Sequence, residues 1–180
     1  MAEQRIPRVE EHSAPAKSKP ILEELKKKFG HVPNIFASVA HSSAALHSMM
    51  AMMGHLEDGS LTGLEQEAIA LRVGEMHGCR YCSAAHTAKA KMLGATVEQT
   101  VAWRKGKADE PRTQVIIDLA VEMVENRGHI VDQTLTEALE LGLTEADLIE
   151  VVACVTINTF TNYINALVQT EVDFPAVDPI

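Results

Sequence analysis

Cys79-Arg80-Tyr81-Cys82 sets two thiols three residues apart, and His86 follows the second by four. Three residues along a helix separate Cα atoms by about 5 to 6 Å, a span that a disulfide bridges. Four residues make one turn, so His86 faces the same side of its helix as Cys82. These residue types allow three kinds of chemistry: a redox dithiol with an imidazole beside it, a metal site, or a buried thiol pair near a core histidine. Gly78 breaks the preceding helix, read from Thr62 to Met76, and the next runs from about Cys79 to Leu93 before Gly94. Both thiols therefore fall at a helix start, where free backbone N–H groups and the positive dipole end favour a thiolate.

A carboxylate comes within range if the two helices fold back antiparallel about Gly78. His86 then lies about 12 Å along one helix and Glu67 about 16 Å back along the other. The offset of about 4 Å is one that a glutamate side chain or one water spans. Glu75, nearer the turn, competes for the same partner. Zinc is the rival use of these groups, with Cys79, Cys82 and His86 as three ligands and His77, Glu67 or Glu75 as a fourth. Structural zinc sites usually draw on two separated knuckles, and the sequence has no second Cys pair.

The elements that must hold these groups read as helices. Pro20 opens one through Phe29, Pro33-Asn34 a short one, and Ser42 to about Gly59 a longer one. Thr62 with Glu65, Thr96 with Gln99, Thr134 with Glu137 and Thr144 with Asp147 have the spacing of an N-cap and its reciprocal partner. Glu110-Pro111 begins a helix whose apolar positions 115, 116, 119, 120, 123 and 124 recur with helical spacing. No stretch alternates like a strand, and aromatic residues are only 4%. The expected fold is all-α, about seven or eight helices over residues 20–180, preceded by an extended arm over residues 1–19.

With 25 acidic against 16 basic residues, the chain has no electrostatic footprint for nucleic acid or an anionic membrane. The first twenty residues contain no apolar run that reads as a secretory signal, and a Cys-X-X-Cys pair with three cysteines in all suits a reducing compartment; the expected location is the cytoplasm. The apolar stretch 148–168 carries Glu150 and three asparagines, so a buried core helix is expected rather than a membrane span. On that helix Cys154 reads as an inert core thiol, and Asn158, Asn162 and Asn165 as satisfying neighbouring backbone. Met49, Met50, Met52 and Met53 read as core or as an interface between copies of the chain.

Glu67, eleven intervening residues, Cys79-X-X-Cys82, three more and then His86 resemble the signature of AhpD-like alkylhydroperoxidases in the carboxymuconolactone decarboxylase superfamily. The segment "FGHVPNIFASVAHSSAAL", the stretch "NTFTNYINAL" and "DFP" at 173 to 175 are similar to the peroxidase-related branch. The resemblance implies an all-α fold, a trimer or hexamer, and a thiol peroxidase acting on alkyl hydroperoxides without cofactor or metal. It also implies reduction by an external dithiol or thiol protein. The implied roles fall on Cys82 as attacking thiol, Cys79 as resolving thiol, His86 as proton carrier and Glu67 as the end of the relay. Tyr81 stands where AhpD itself has a second histidine, so no role for a second imidazole carries over. Two other functions fit the same residues: dithiol-disulfide exchange without a peroxide substrate, and a non-enzymatic helical assembly held by zinc.

Overall fold

Repeated capping threonines and 3.6-residue apolar periodicity produce nine α-helices in this computed structural model, which describes residues 4–10 and 12–180, with no strand among them. They are α1 (Lys19–Phe29), α2 (Asn34–Val39), α3 (Ser43–Glu57), α4 (Gly63–Met76), α5 (Arg80–Met92), α6 (Val97–Arg104), α7 (Pro111–Glu125), α8 (Asp132–Glu140) and α9 (Glu145–Val168). The all-α expectation stands, with nine helices in place of seven or eight. Of the segment expected as an extended arm, residues 1–3 and 11 lie outside the described residues. Residues 12–18 are largely turns, and the segment lies along the chain's own body: the Arg5 N–H donates to the Val168 carbonyl and the Val9 N–H to that of Ala37.

Capping boxes form at Thr62–Glu65, Thr96–Gln99 and Thr144–Asp147, opening α4, α6 and α9. The fourth pair does not cap. α8 begins two residues before Thr134 because Glu122 of α7 accepts the Val131 N–H at 2.8 Å and the Thr134 hydroxyl at 2.5 Å. Glu137 instead takes the Gln133 amide, so Thr134 sits inside the helix that it was expected to start.

α4 is the central element, packed against α5, α6, α7 and α9. Ile69 and Val73 meet Ile116, Leu119 and Ala120 of α7 and Val151 and Val155 of α9, each large side chain contributing about 1.5–3 kcal/mol by leaving water. α9 is the one helix among the described residues long and apolar enough to cross a membrane. Its Val151, Cys154, Asn158, Asn162 and Asn165 are buried, and it packs on α4, α7, α2 and α3.

A second apolar cluster surrounds the dithiol: Leu22, Leu25, Ile35, Leu46 and Met49 pack with Cys79, Tyr81 and Cys82. Met50, Met52 and Met53 lean partly buried against it, which assigns the methionine run to the core. Tyr81 anchors this end of α5. Its hydroxyl accepts the Ile35 N–H at 3.2 Å, and its ring meets Phe174 edge-on with centroids 5.6 Å apart. Burial pushes the phenol far above its ordinary pKa, so Tyr81 is a neutral anchor. Asp173 accepts the Asn34 N–H at the start of α2, while the Asn34 amide donates to the Glu171 carbonyl and its oxygen accepts from Arg8. The Val-Pro-Asn and Asp-Phe-Pro segments thus close on each other over the first turn of α5.

Candidate active site

The dithiol is built into the end of α4. Gly78, at φ +64°, is the left-handed residue that stops this helix; its N–H donates to Glu75 O, and the Cys79 N–H to Gly74 O at 2.8 Å. Cys79 is also the N-cap of α5, its sulfur accepting the Cys82 N–H at 3.3 Å. One residue therefore ends one helix and starts the next, which fixes both cysteines. Their Cα atoms are 5.3 Å apart, the sulfurs stand at disulfide distance, and the residues are 7% and 3% exposed.

Two side chains that sequence reasoning assigned to backbone satisfaction point at these sulfurs instead. Asn162 donates from Nδ2 to Cys82 Sγ at 2.9 Å, and Asn165 donates to the same sulfur at 3.2 Å and to Cys79 Sγ at 3.7 Å. Asn158 does satisfy backbone, donating to Cys154 O at 2.8 Å. Spacings of four and three put the three amides on one face of an apolar helix, a signal in the sequence, but not one that says what the face meets. Buried amides aimed at sulfur favour its anionic form.

One turn along α5, His86 Nδ1 donates to Glu67 Oε2 at 2.7 Å. The contact assigns the imidazole proton to Nδ1 and leaves Nε2 as the nitrogen able to exchange one with a substrate. Lys89, three residues beyond, reaches Glu67 Oε1 at 2.9 Å. Lys89 went unnoticed in the sequence, although its spacing places it on the face of His86. Glu67 is 1% exposed. Burial alone would raise its pKa, but the attraction and hydrogen bonds of His86 and Lys89 outweigh that and hold the carboxyl below its ordinary value. A cavity of about 60 Å³ beside this group is lined by Glu67, His86 and Lys89 together with Met53, Leu56, Cys154 and Ile157, roomy enough for a few waters. Among the described residues no hydrogen bond joins His86 to either sulfur, so sulfur pair and relay are adjacent on α5 but separate in this disulfide state.

The remaining candidates sort by partner. Glu75, the competing carboxylate, pairs with Arg104 Nε at 2.8 Å. His77 donates from Nδ1 to Asn162 Oδ1 at 2.9 Å. With Glu67 on His86, each side chain considered as a fourth zinc ligand is turned to another partner, and no group of three or more metal-ligating side chains converges among the described residues. Cys154 is buried, with its thiol pushed up to about 12 by desolvation first and by the charges of Glu150 and Glu67 second.

Residues 43–108, which include Glu67, both site cysteines and His86, match the carboxymuconolactone decarboxylase family. Among solved structures, an AhpD core of an uncharacterized peroxidase-related protein from Ralstonia eutropha JMP134 superposes with a TM-score of 0.86 at 23% identity, covering 96% of this chain and 94% of that one. An uncharacterized peroxidase-related protein from Silicibacter sp. TM1040 gives 0.80 at 22% identity, over 93% of this chain and 89% of that one. The debrominase Bmp8, solved in complex with 2,3,4-tribromopyrrole, gives 0.77 at 15% identity, over 95% and 92%. No curated protein matches the sequence. The AhpD-like resemblance read from the sequence is borne out, and the fold is AhpD-like.

Proposed function

From an AhpD-like fold with a dithiol seated at the joint of two helices, we propose that this chain is a thiol-dependent peroxidase that reduces alkyl hydroperoxides. The observation that carries the reading is that α5 bears a bridgeable sulfur pair at its start and, one turn on, an imidazole oriented by a buried carboxylate. Cys82 thiolate attacks the terminal oxygen of ROOH; the O–O bond breaks, sulfur becomes a sulfenic acid, and the leaving alkoxide takes a proton to give ROH. Cys79 thiol then condenses with the sulfenic acid, forming the disulfide and releasing water. An external dithiol reduces that disulfide and is itself oxidised, so the cycle closes without metal or cofactor.

Thiolate formation by itself accelerates this little. Lowering a thiol pKa from about 8.5 to about 6 raises the thiolate fraction at pH 7 roughly 30-fold, while a Brønsted β of about 0.45 returns roughly 13-fold in nucleophilicity. The larger contribution is a proton for the leaving alkoxide, a general-acid role worth about 10² to 10⁴, which we assign to His86 oriented by Glu67. The cytoplasm, a reducing compartment, keeps the pair cycling, and the chain works as a homo-oligomer.

Dithiol-dependent consumption of a hydroperoxide, measured beside Cys82→Ser, tests the reading. Turnover that vanishes in the variant is the expected result. Reduced protein that ignores peroxide yet exchanges with disulfides would replace the peroxidase by a dithiol-disulfide oxidoreductase.

A further inference from the structure

We propose that Asn162 and Asn165 form an amide cradle for the Cys82 thiolate, and that His77 sets the cradle's polarity by locking the Asn162 amide with its N–H end toward sulfur. The inference rests on the assignment of Cys82 as the reacting thiol, and it adds to the site three residues outside the Glu67–His86 relay.

The geometry is asymmetric between the two sulfurs. Cys82 Sγ faces two side-chain amides at 2.9 and 3.2 Å, whereas Cys79 Sγ has its N-cap bond from the Cys82 N–H at 3.3 Å and a long amide contact at 3.7 Å. A disulfide sulfur is a weak acceptor, and a thiolate is a strong one. Reduction therefore turns the two amide contacts on Cys82 into charge-assisted hydrogen bonds inside an apolar cluster, where they offset the loss of water. Asn162 is 1% and Asn165 6% exposed, so water does not compete for either.

An asparagine amide presents N–H at one end and carbonyl at the other, and a half-turn about its last bond would aim the carbonyl at the anion. Asn165 has no partner for its oxygen among the described residues. Asn162 has one. His77 Nδ1 lies 2.9 Å from Asn162 Oδ1, and a ring N–H there can donate to the amide oxygen but cannot accept from the amide N–H: the turned amide would set N–H against N–H and oxygen against sulfur. His77 itself is held as the C-cap of α4, with its ring against Tyr163 at 5.2 Å between centroids. Either the cation or the Nδ1–H tautomer keeps the latch. Asn162 and Asn165 touch the reacting atom; His77 is a positioning residue that acts through Asn162.

The rate of iodoacetamide alkylation of Cys82 against pH, in reduced full-length protein and read by peptide mass spectrometry, gives the thiol pKa without any peroxide. Asn162→Ala is expected to raise it by about one unit, roughly a tenfold loss of thiolate at pH values well below the pKa. His77→Gln is expected to raise it by about half a unit, roughly threefold, while His77→Asn, whose amide N–H falls where the imidazole Nδ1–H was, stays near the parent. Should Asn162→Ala not fold by circular dichroism, the His77 pair still decides, because His77 is partly exposed at a helix end. An unshifted pKa in folded Asn162→Ala, no shift in His77→Gln, or equal shifts in both His77 variants overturns the proposal. A chain that fails to consume peroxide but shows these shifts keeps the cradle and loses the peroxidase, so the two failures are told apart.

Discussion

Glu67 and His86, nineteen residues apart on α4 and α5, meet at 2.7 Å, and Lys89 holds the second carboxylate oxygen at 2.9 Å. Glu67→Gln keeps the shape and removes the charge that orients the ring and balances Lys89. Peroxide turnover is expected to fall about 10- to 100-fold, and unfolding stability at pH 7 by about 2 kcal/mol. The folded carboxyl titrates below its unfolded value of about 4.3, so its stabilisation is complete above that pH and is lost as pH falls through the lower folded pKa. Urea denaturation should therefore show a gap between parent and variant at pH 7 that shrinks below about pH 4; an unchanged gap at pH 3 would refute the ion-pair account.

Cys82 rather than Cys79 is the sulfur expected to oxidise. The helix dipole favours Cys79 by about 0.3 to 1 kcal/mol, less than one pKa unit, and two amide donors on Cys82 outweigh it. Peroxide treatment of Cys79→Ser should yield a sulfenic acid that dimedone traps on Cys82, with Cys82→Ser largely unmodified. Preferential trapping on Cys79 would reverse the assignment.

Cys154 should stay a free thiol throughout. Its pKa of about 12 and its burial leave almost no thiolate at pH 8.5. Alkylation of reduced, folded protein should label Cys79 and Cys82 and leave Cys154 unlabelled until denaturant is added. Rapid labelling of all three thiols would mean that α9 opens far more readily than its packing allows.

An assembly larger than the 19.6 kDa monomer is the expected solution state. Ile149, Val152, Tyr163 and Leu167 lie exposed along α9, apolar area that self-association would cover. Light scattering at micromolar concentration checks this, and a monomer as the sole species would rule it out.

The helices were readable because their signals are local. Thr62, Thr96 and Thr144 cap where a partner three residues on says they should, and the approach of Glu67 to His86 follows from helix rise on either side of Gly78. Thr134 misled because its hydroxyl is captured by Glu122, twelve residues back on another helix, and no spacing rule within α8 encodes that. The same holds more strongly at the sulfurs. Asn162 reaches a cysteine eighty residues earlier, so the sequence displays a polar face on an apolar helix without displaying what lies opposite.

Tyr81, one residue before Cys82, is seated by Ile35 and Phe174, while Asn34 is clasped by Glu171 and Asp173, 137 and 139 residues further on. Contacts of such long sequence separation form late, since loop closure must precede them. On a ribosome the local helices α4 and α5 can form while the thiols still lack their lid, and the redox turn is finished only after residues 171–174 emerge. Completion of this site thus depends on a distant segment: chains truncated before Glu171 should have Cys82 more open to alkylation than chains in which residues 171–174 have closed on Asn34 and Tyr81.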